Sequence, residues 1–146
     1  MRKPLLLLVF LALSCGGSKS DPASPQCQNF FGSGTTHVDV TISGSVSNGA
    51  NSCPVSQTWF NIPITQNACT FTSGATSPAI AGTFAADGSV LVTVSGSALS
   101  GCPAGVAGHG TISGATISGT LDSIGDCDRT CTFTGKAHVS FSIHKL

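Results

Sequence analysis

The chain has 146 residues, with six Lys or Arg and six Asp or Glu, so its formal net charge is 0. Such a balance offers no polybasic surface, which argues against nucleic-acid binding and against electrostatic docking to membranes. Gly, Ser, Thr and Val dominate after the first 15 residues, whereas helix-forming residues are scarce. That composition favours strands and turns over helices.

The first segment has the pattern of an export signal. Arg2 and Lys3 give it a positive start, an apolar run follows from Leu5 to Leu13, and Ser14 ends it. A basic start, a short apolar run and a small residue before a cleavage point are typical of a signal peptide. The run is too short to span a membrane, which takes roughly 20 apolar residues. We therefore predict a signal peptide over residues 1–14.

The sequence Leu11-Ala12-Leu13-Ser14-Cys15 resembles the lipobox of bacterial lipoproteins. The resemblance covers residues 1–17 and implies cleavage before Cys15, whose thiol then carries lipid, including palmitate. Ala12 and Leu13 depart from the usual pattern, and ordinary secretory cleavage nearby is the alternative. Gly16 is not the Asp that retains many lipoproteins in the inner membrane. The resemblance thus implies an outer-membrane location, on the periplasmic or surface face, in an organism with two membranes.

Residues 15–26 are rich in Gly, Ser and Pro and predict a flexible tether. The rest, 27–146, has the length of one domain. This domain holds all the cysteines except Cys15. They number six, an even number that suits three disulfides in an oxidising compartment. They are Cys27, Cys53, Cys69, Cys102, Cys127 and Cys131.

A weak internal repeat gives one hypothesis for the disulfide pairing. Ser-Gly-Ser precedes Cys53-Pro54 and also Cys102-Pro103, and the sequence Cys-Thr-Phe-Thr begins at both Cys69 and Cys131. If the two halves are equivalent, Cys53 pairs with Cys69 and Cys102 with Cys131, which leaves Cys27 for Cys127. Convergent Ser, Thr and Gly composition explains the repeat equally well.

Apolar and polar residues alternate with period two in many short segments of 27–146, which is typical of half-buried antiparallel strands. Asp87-Gly88, between two of these segments, predicts a hairpin turn. The pattern predicts an all-β fold of eight or nine short strands, with a small antiparallel β-sandwich favoured and a closed β-barrel as the alternative. The segments are 38–42, 60–64, 70–72, 80–85, 90–94, 111–113, 116–121, 130–134 and 139–143.

The segment 57–64 holds the candidate partner-binding residues. If Phe60, Ile62 and Ile64 face the core, then Gln57, Trp59 and Asn61 share the opposite face. An exposed aromatic residue flanked by amides suits stacking on a sugar ring or anchoring of a protein partner. The alternative is that Trp59 covers the end of the core.

The chain has no local signature of a catalytic nucleophile, such as Gly-x-Ser-x-Gly, and no enzyme activity is predicted. Asp122, Asp126 and Asp128 can supply oxygens to Ca²⁺, but their spacing does not match an EF-hand loop, and solvated turn residues are the better interpretation. We predict no metal and no cofactor.

The sequence therefore predicts a lipid-anchored envelope protein of non-enzymatic type, which binds a protein or glycan partner or has a structural role. Two alternatives remain. One is a small barrel that carries an apolar ligand, with Phe30, Phe31, Phe84 and Phe133 as lining residues. The other is an enzyme with a dispersed site.

Overall fold

A computed structural model describes residues 27–74, 77–95, 101–128 and 131–146 of the chain. The predicted signal peptide, Cys15 and the predicted tether lie outside the described residues. No helix in the described part is both long and apolar enough to cross a bilayer.

Eight antiparallel strands form a closed barrel in which each strand pairs with the next and the last pairs with the first. The strands are β1 (Thr35–Ser47), β2 (Ser52–Asn67), β3 (Thr70–Ser73), β4 (Ala79–Phe84), β5 (Ser89–Ser95), β6 (Val106–Ser113), β7 (Thr116–Ser123) and β8 (Lys136–Lys145). The all-β prediction is confirmed.

The structure corrects the preference for a sandwich and supports the barrel alternative. Closure is made by β8, which pairs with β1 from Ser47↔Lys136 to Val38↔Lys145. Closing the sheet in this way removes the edges that the first and last strands of an open sheet would expose. Period-two alternation is common to both architectures, so the pattern alone did not separate them.

One predicted strand, over 130–134, is absent from its described part. Residues 131–134 have no strand pairing, and the nearest bridge joins Cys127 to Gly135. Cys131 is instead held by a disulfide.

The barrel interior is apolar, and each strand contributes its inward-facing residues to it. β5 shows the pattern clearly, because Val90, Val92 and Val94 are buried while Leu91 is exposed. No polar or charged residue in the described part is buried. Burial of these side chains is the main source of stability, at about 25 cal/mol per Å² of apolar surface.

The segment 27–34 closes one end of the barrel. Phe30 and Phe31 pack edge to face at 4.8 Å, and Phe31 contacts Phe71 at 5.0 Å between ring centres. The backbone N–H of Phe31 donates to Oε1 of Gln66 at 3.0 Å, and Nζ of Lys145 donates to the carbonyl of Phe30 at 3.1 Å. We call this the entry end, because the described chain begins there; its turns are 68–69, 85–88 and 114–115.

The opposite end carries the longer connections, and we call it the loop end. It includes 96–105 between β5 and β6 and 124–135 between β7 and β8. The turns at the entry end, including the hairpin predicted at Asp87-Gly88, are shorter. In the described parts of the two longer connections, disulfides restrain the backbone at Cys102, Cys127 and Cys131.

The three disulfides are Cys27–Cys69, Cys53–Cys131 and Cys102–Cys127. The presence of three disulfides is confirmed, but all three predicted pairings are wrong. The first bond ties the entry segment to the β2–β3 turn, and the other two tie the loop end together. The repeat gave a false pairing because Cys69 lies at the entry end, whereas Cys53 begins β2 at the other end of the barrel.

Candidate functional site

A β-bulge in β2 shapes the surface on which the sequence placed partner binding. Val38 pairs with Ile62 and Val40 with Trp59, so Phe60 and Asn61 together lie opposite the single residue Asp39. Asn61 has a positive φ of 57°, and its N–H donates to Oδ1 of Asp39 at 2.9 Å. Asn adopts this left-handed conformation more readily than most residues do. The extra residue is therefore accommodated by a residue type that suits it.

The bulge reverses the side-chain facing expected for Phe60. Ile62 and Ile64 are buried as predicted, but Phe60 is 71% exposed. Trp59 is half-buried and packs against the core. Because one inserted residue moves every earlier side chain of the strand to the other face, the predicted shared face of Gln57, Trp59 and Asn61 is not formed.

Gln57 is exposed for a different reason. It pairs with the fully buried Ile42, which places it on the inner side of the sheet. However, β2 pairs with β3 only over Ile64–Asn67, so the earlier part of β2 has no partner strand on that side within the described chain. Gln57 therefore lies along this open edge on the inner side, away from Phe60 and Asn61. We call Phe60 and Asn61, which lie together on the outer face opposite Asp39, the bulge surface.

Two of the three calcium candidates are engaged with other partners. Asp122 and His138 are opposite each other on β7 and β8, and Oδ1 of the carboxylate is 2.6 Å from Nδ1 of the imidazole. Asp126 forms an ion pair with Lys136 at 2.9 Å. Among the residues that the structure describes, no three His, Cys, Asp or Glu side chains form a group that can hold a metal ion.

The Asp122–His138 pair is the closest approach to a catalytic arrangement in the described chain. Both side chains are largely exposed, at 72% and 68%. A triad would also need a nucleophile hydrogen-bonded to the other ring nitrogen and a site for the developing oxyanion. Within the described residues the ring of His138 has one hydrogen bond, which is to Asp122. An exposed pair of this kind adds little to stability.

The aromatic residues proposed to line an internal ligand site occupy different places. Phe30, Phe31 and Phe84 pack on one another and on Phe71 at the entry end. Phe133 is half-buried and follows Cys131 at the loop end. The four predicted residues therefore do not surround one common space.

A groove of about 390 Å³ runs along the outer face of β3, β4 and β5. Its floor is Ala81 and Gly82 of β4, with the Phe71 ring packed so closely beneath Gly82 that a Cβ there would overlap it. Larger residues on the neighbouring strands form the walls. The lining residues are Thr65, Asn67, Thr70, Phe71, Thr72, Ala81, Gly82, Thr83, Leu91 and Thr93.

Sequence reasoning missed both Phe60 and this groove. A one-residue bulge has no reliable sequence signal, although an Asn beside a period-two break is consistent with one. The groove depends on which residues of three strands lie side by side, namely Thr72, Ala81 and Thr93. That register becomes known only from the folded sheet.

A comparison of the chain with protein-family models, with curated proteins and with solved structures finds no match in any of the three.

Proposed function

We propose that this chain is a lipid-anchored envelope protein of non-enzymatic type that binds a protein or glycan partner through its bulge surface. The observation that carries the proposal is the exposed Phe60, held in a β-bulge beside an open strand edge. Exposed aromatic residues on ordered backbone are common anchors of partner contacts. Asn61, beside it in the bulge, adds an amide group for hydrogen bonds.

The geometry of the entry end is compatible with anchoring at Cys15. Residues 15–26 connect that cysteine to Cys27, which the disulfide to Cys69 ties to the entry end. Twelve residues reach at most about 40 Å when extended. The bulge surface lies on the side of the barrel, so an anchor at the entry end leaves it free to meet a partner.

Fractionation tests the anchor. We expect the wild-type protein in the membrane fraction, labelled by radioactive palmitate, and the Cys15→Ala variant without label. The variant should move from the membrane fraction to the soluble fraction, because the apolar run of the signal peptide is too short to hold the chain in the bilayer. Equal labelling and equal retention of both proteins would contradict lipidation at Cys15.

Partner capture tests the bulge surface. Phe60→Ser should lower capture of a defined partner from envelope extract at least tenfold, since anchor residues contribute about 2 kcal/mol or more. Ile124→Ser is the matched control, because Ile124 is 57% exposed and lies beyond the end of β7, at the loop end of the barrel. Protease treatment of the captured material separates a protein partner from a glycan. Equal capture by both variants would overturn the bulge surface as the binding site.

A further inference from the structure

The groove on β3, β4 and β5 has the size and chemistry of a small-ligand site. Its volume of about 390 Å³ falls in the range of known ligand sites, which is roughly 300–1,000 Å³. None of its lining residues is charged. An anionic ligand would lack a Lys or Arg partner there, and a cationic ligand would lack an Asp or Glu.

Several hydroxyl groups in the groove are available for a ligand. Thr70 and Thr72 donate to the backbone carbonyls of Asn67 and Ser73, at 3.1 and 3.3 Å. Within the described chain, the hydroxyls of Thr65, Thr83 and Thr93 have no hydrogen-bond partner. Each threonine hydroxyl can donate one hydrogen bond and accept others.

The floor and one wall of the groove are apolar. Ala81 is exposed in the middle, the Phe71 ring lies beneath Gly82, and Leu91 is 44% exposed at one side. A ligand that fits must therefore present hydroxyls along its edges and C–H groups on one face. It must also be uncharged.

We infer that this groove binds a neutral saccharide, with the free Thr hydroxyls contacting sugar hydroxyls and with Ala81 and Leu91 under the C–H face of a sugar ring. The inference goes beyond the proposed function, because it assigns a second site, distinct from the bulge surface, with a ligand class of its own. An extended peptide or an acidic sugar is an alternative occupant, and binding of either in its place would contradict the inference.

The test titrates the full mature protein, in a detergent without sugar groups, with neutral saccharides. The probes are the trisaccharides of glucose and of N-acetylglucosamine, with N-acetylneuraminic acid and a Thr-rich peptide as competitors. Calorimetry gives the dissociation constant, and amide chemical shifts locate the site. We expect one of the neutral trisaccharides to shift the amides of β3, β4 and β5, and neither competitor to do so.

Variants assign the binding to the groove. Ala81→Leu fills the exposed floor of the groove and should weaken binding at least tenfold. Thr93→Val keeps the shape of the side chain but replaces its hydroxyl with a methyl group, and it should weaken binding about fivefold. Ser140→Leu is the control for Ala81→Leu, because Ser140 is exposed on the outer face of β8, across the barrel from β4. Retained amide dispersion shows that each variant folds.

The inference fails if no neutral trisaccharide binds at millimolar concentration, or if Ala81→Leu and Ser140→Leu weaken binding equally. These results are independent of the anchoring and capture experiments, which change Cys15 and Phe60. A failure of the groove is therefore distinguishable from a failure of the proposed function.

Discussion

At the scale of single residues, the bulge depends on a side chain that tolerates a left-handed backbone. Asn61 has φ 57°, where a β-branched residue is strongly disfavoured. We expect Asn61→Val to lower the free energy of unfolding by about 1–2 kcal/mol, whereas Asn61→Gly should leave it nearly unchanged. Urea denaturation of the three proteins measures the effect. Equal stability of the Val and Gly variants would show that the bulge relaxes without cost.

Asp87 offers a test of a local hydrogen-bond network. Hydrogen bonds from the Ser89 hydroxyl, at 2.6 Å, and from the Ser89 N–H, at 2.9 Å, hold the pKa of the Asp87 carboxyl below its usual value. A lowered pKa means that the turn is stabilised above the unfolded pKa, and that this contribution is lost as the pH falls through the folded pKa.

Removal of the hydroxyl should reverse part of that shift. We expect the pKa of Asp87 to rise in Ser89→Ala, as measured by carboxyl-carbon NMR titration, because the side-chain hydrogen bond is its largest cause. Ser95→Ala, at the far end of the same strand, is the control and should leave it unchanged. An Asp87 pKa that is the same in all three proteins would contradict the network.

At the scale of strands, glycines set how closely neighbouring chains approach. A Cβ at Gly119 would overlap the carbonyl oxygen of His109 and lie 2.6 Å from Cα of Gly110. These are backbone atoms of β6, which cannot move away alone. Gly119→Ala should therefore destabilise the barrel by about 1–3 kcal/mol. Gly125→Ala is the control, since its Cβ would meet Ala104 at an ordinary 3.5 Å. Comparable thermal midpoints for both variants would refute the close approach.

The inward-facing residues of a strand could be predicted where apolar residues alternate with period two. They could not be predicted where the pairing with a neighbouring strand determines which way a side chain faces. Val90, Val92 and Val94 are buried as the alternation indicates, and so are Val139, Phe141 and Ile143. Phe60 was misplaced because a single inserted residue in β2 shifts the phase without changing composition. Local periodicity carries information about each face, but it contains none about an insertion opposite another strand.

At the scale of the whole molecule, closure of the barrel and the disulfide pairing depend on contacts between residues that are far apart in the sequence. The pairing of β8 with β1 and the bond between Cys53 and Cys131, 78 residues apart, join distant parts of the chain. Local sequence patterns report neighbours along the chain, so they could not choose between a sandwich and a barrel or find the correct cysteine partners. The groove on β3, β4 and β5 could not be predicted for the same reason.

The disulfides divide the molecule into two ends that should respond separately. Cys27–Cys69 holds the entry end, where the Phe31 N–H donates to Oε1 of Gln66, and Cys102–Cys127 holds the loop end, where the Asp128 N–H donates to the carbonyl of the neighbouring Gly101 at 2.7 Å. Each double Cys→Ala variant should lose about 4 kcal/mol of unfolding free energy.

Hydrogen exchange should separate the two variants by location. Without Cys27–Cys69, the exchange rate of the Phe31 amide should increase by more than the loss of global stability explains. The exchange rate of the Asp128 amide should increase only as much as that loss explains. Without Cys102–Cys127, the order should reverse, because each end opens locally when its own restraint is removed. Since each variant is the control for the other, loss of protection at the same amides in both would show that the barrel opens as one unit, and that the two ends are not independently restrained.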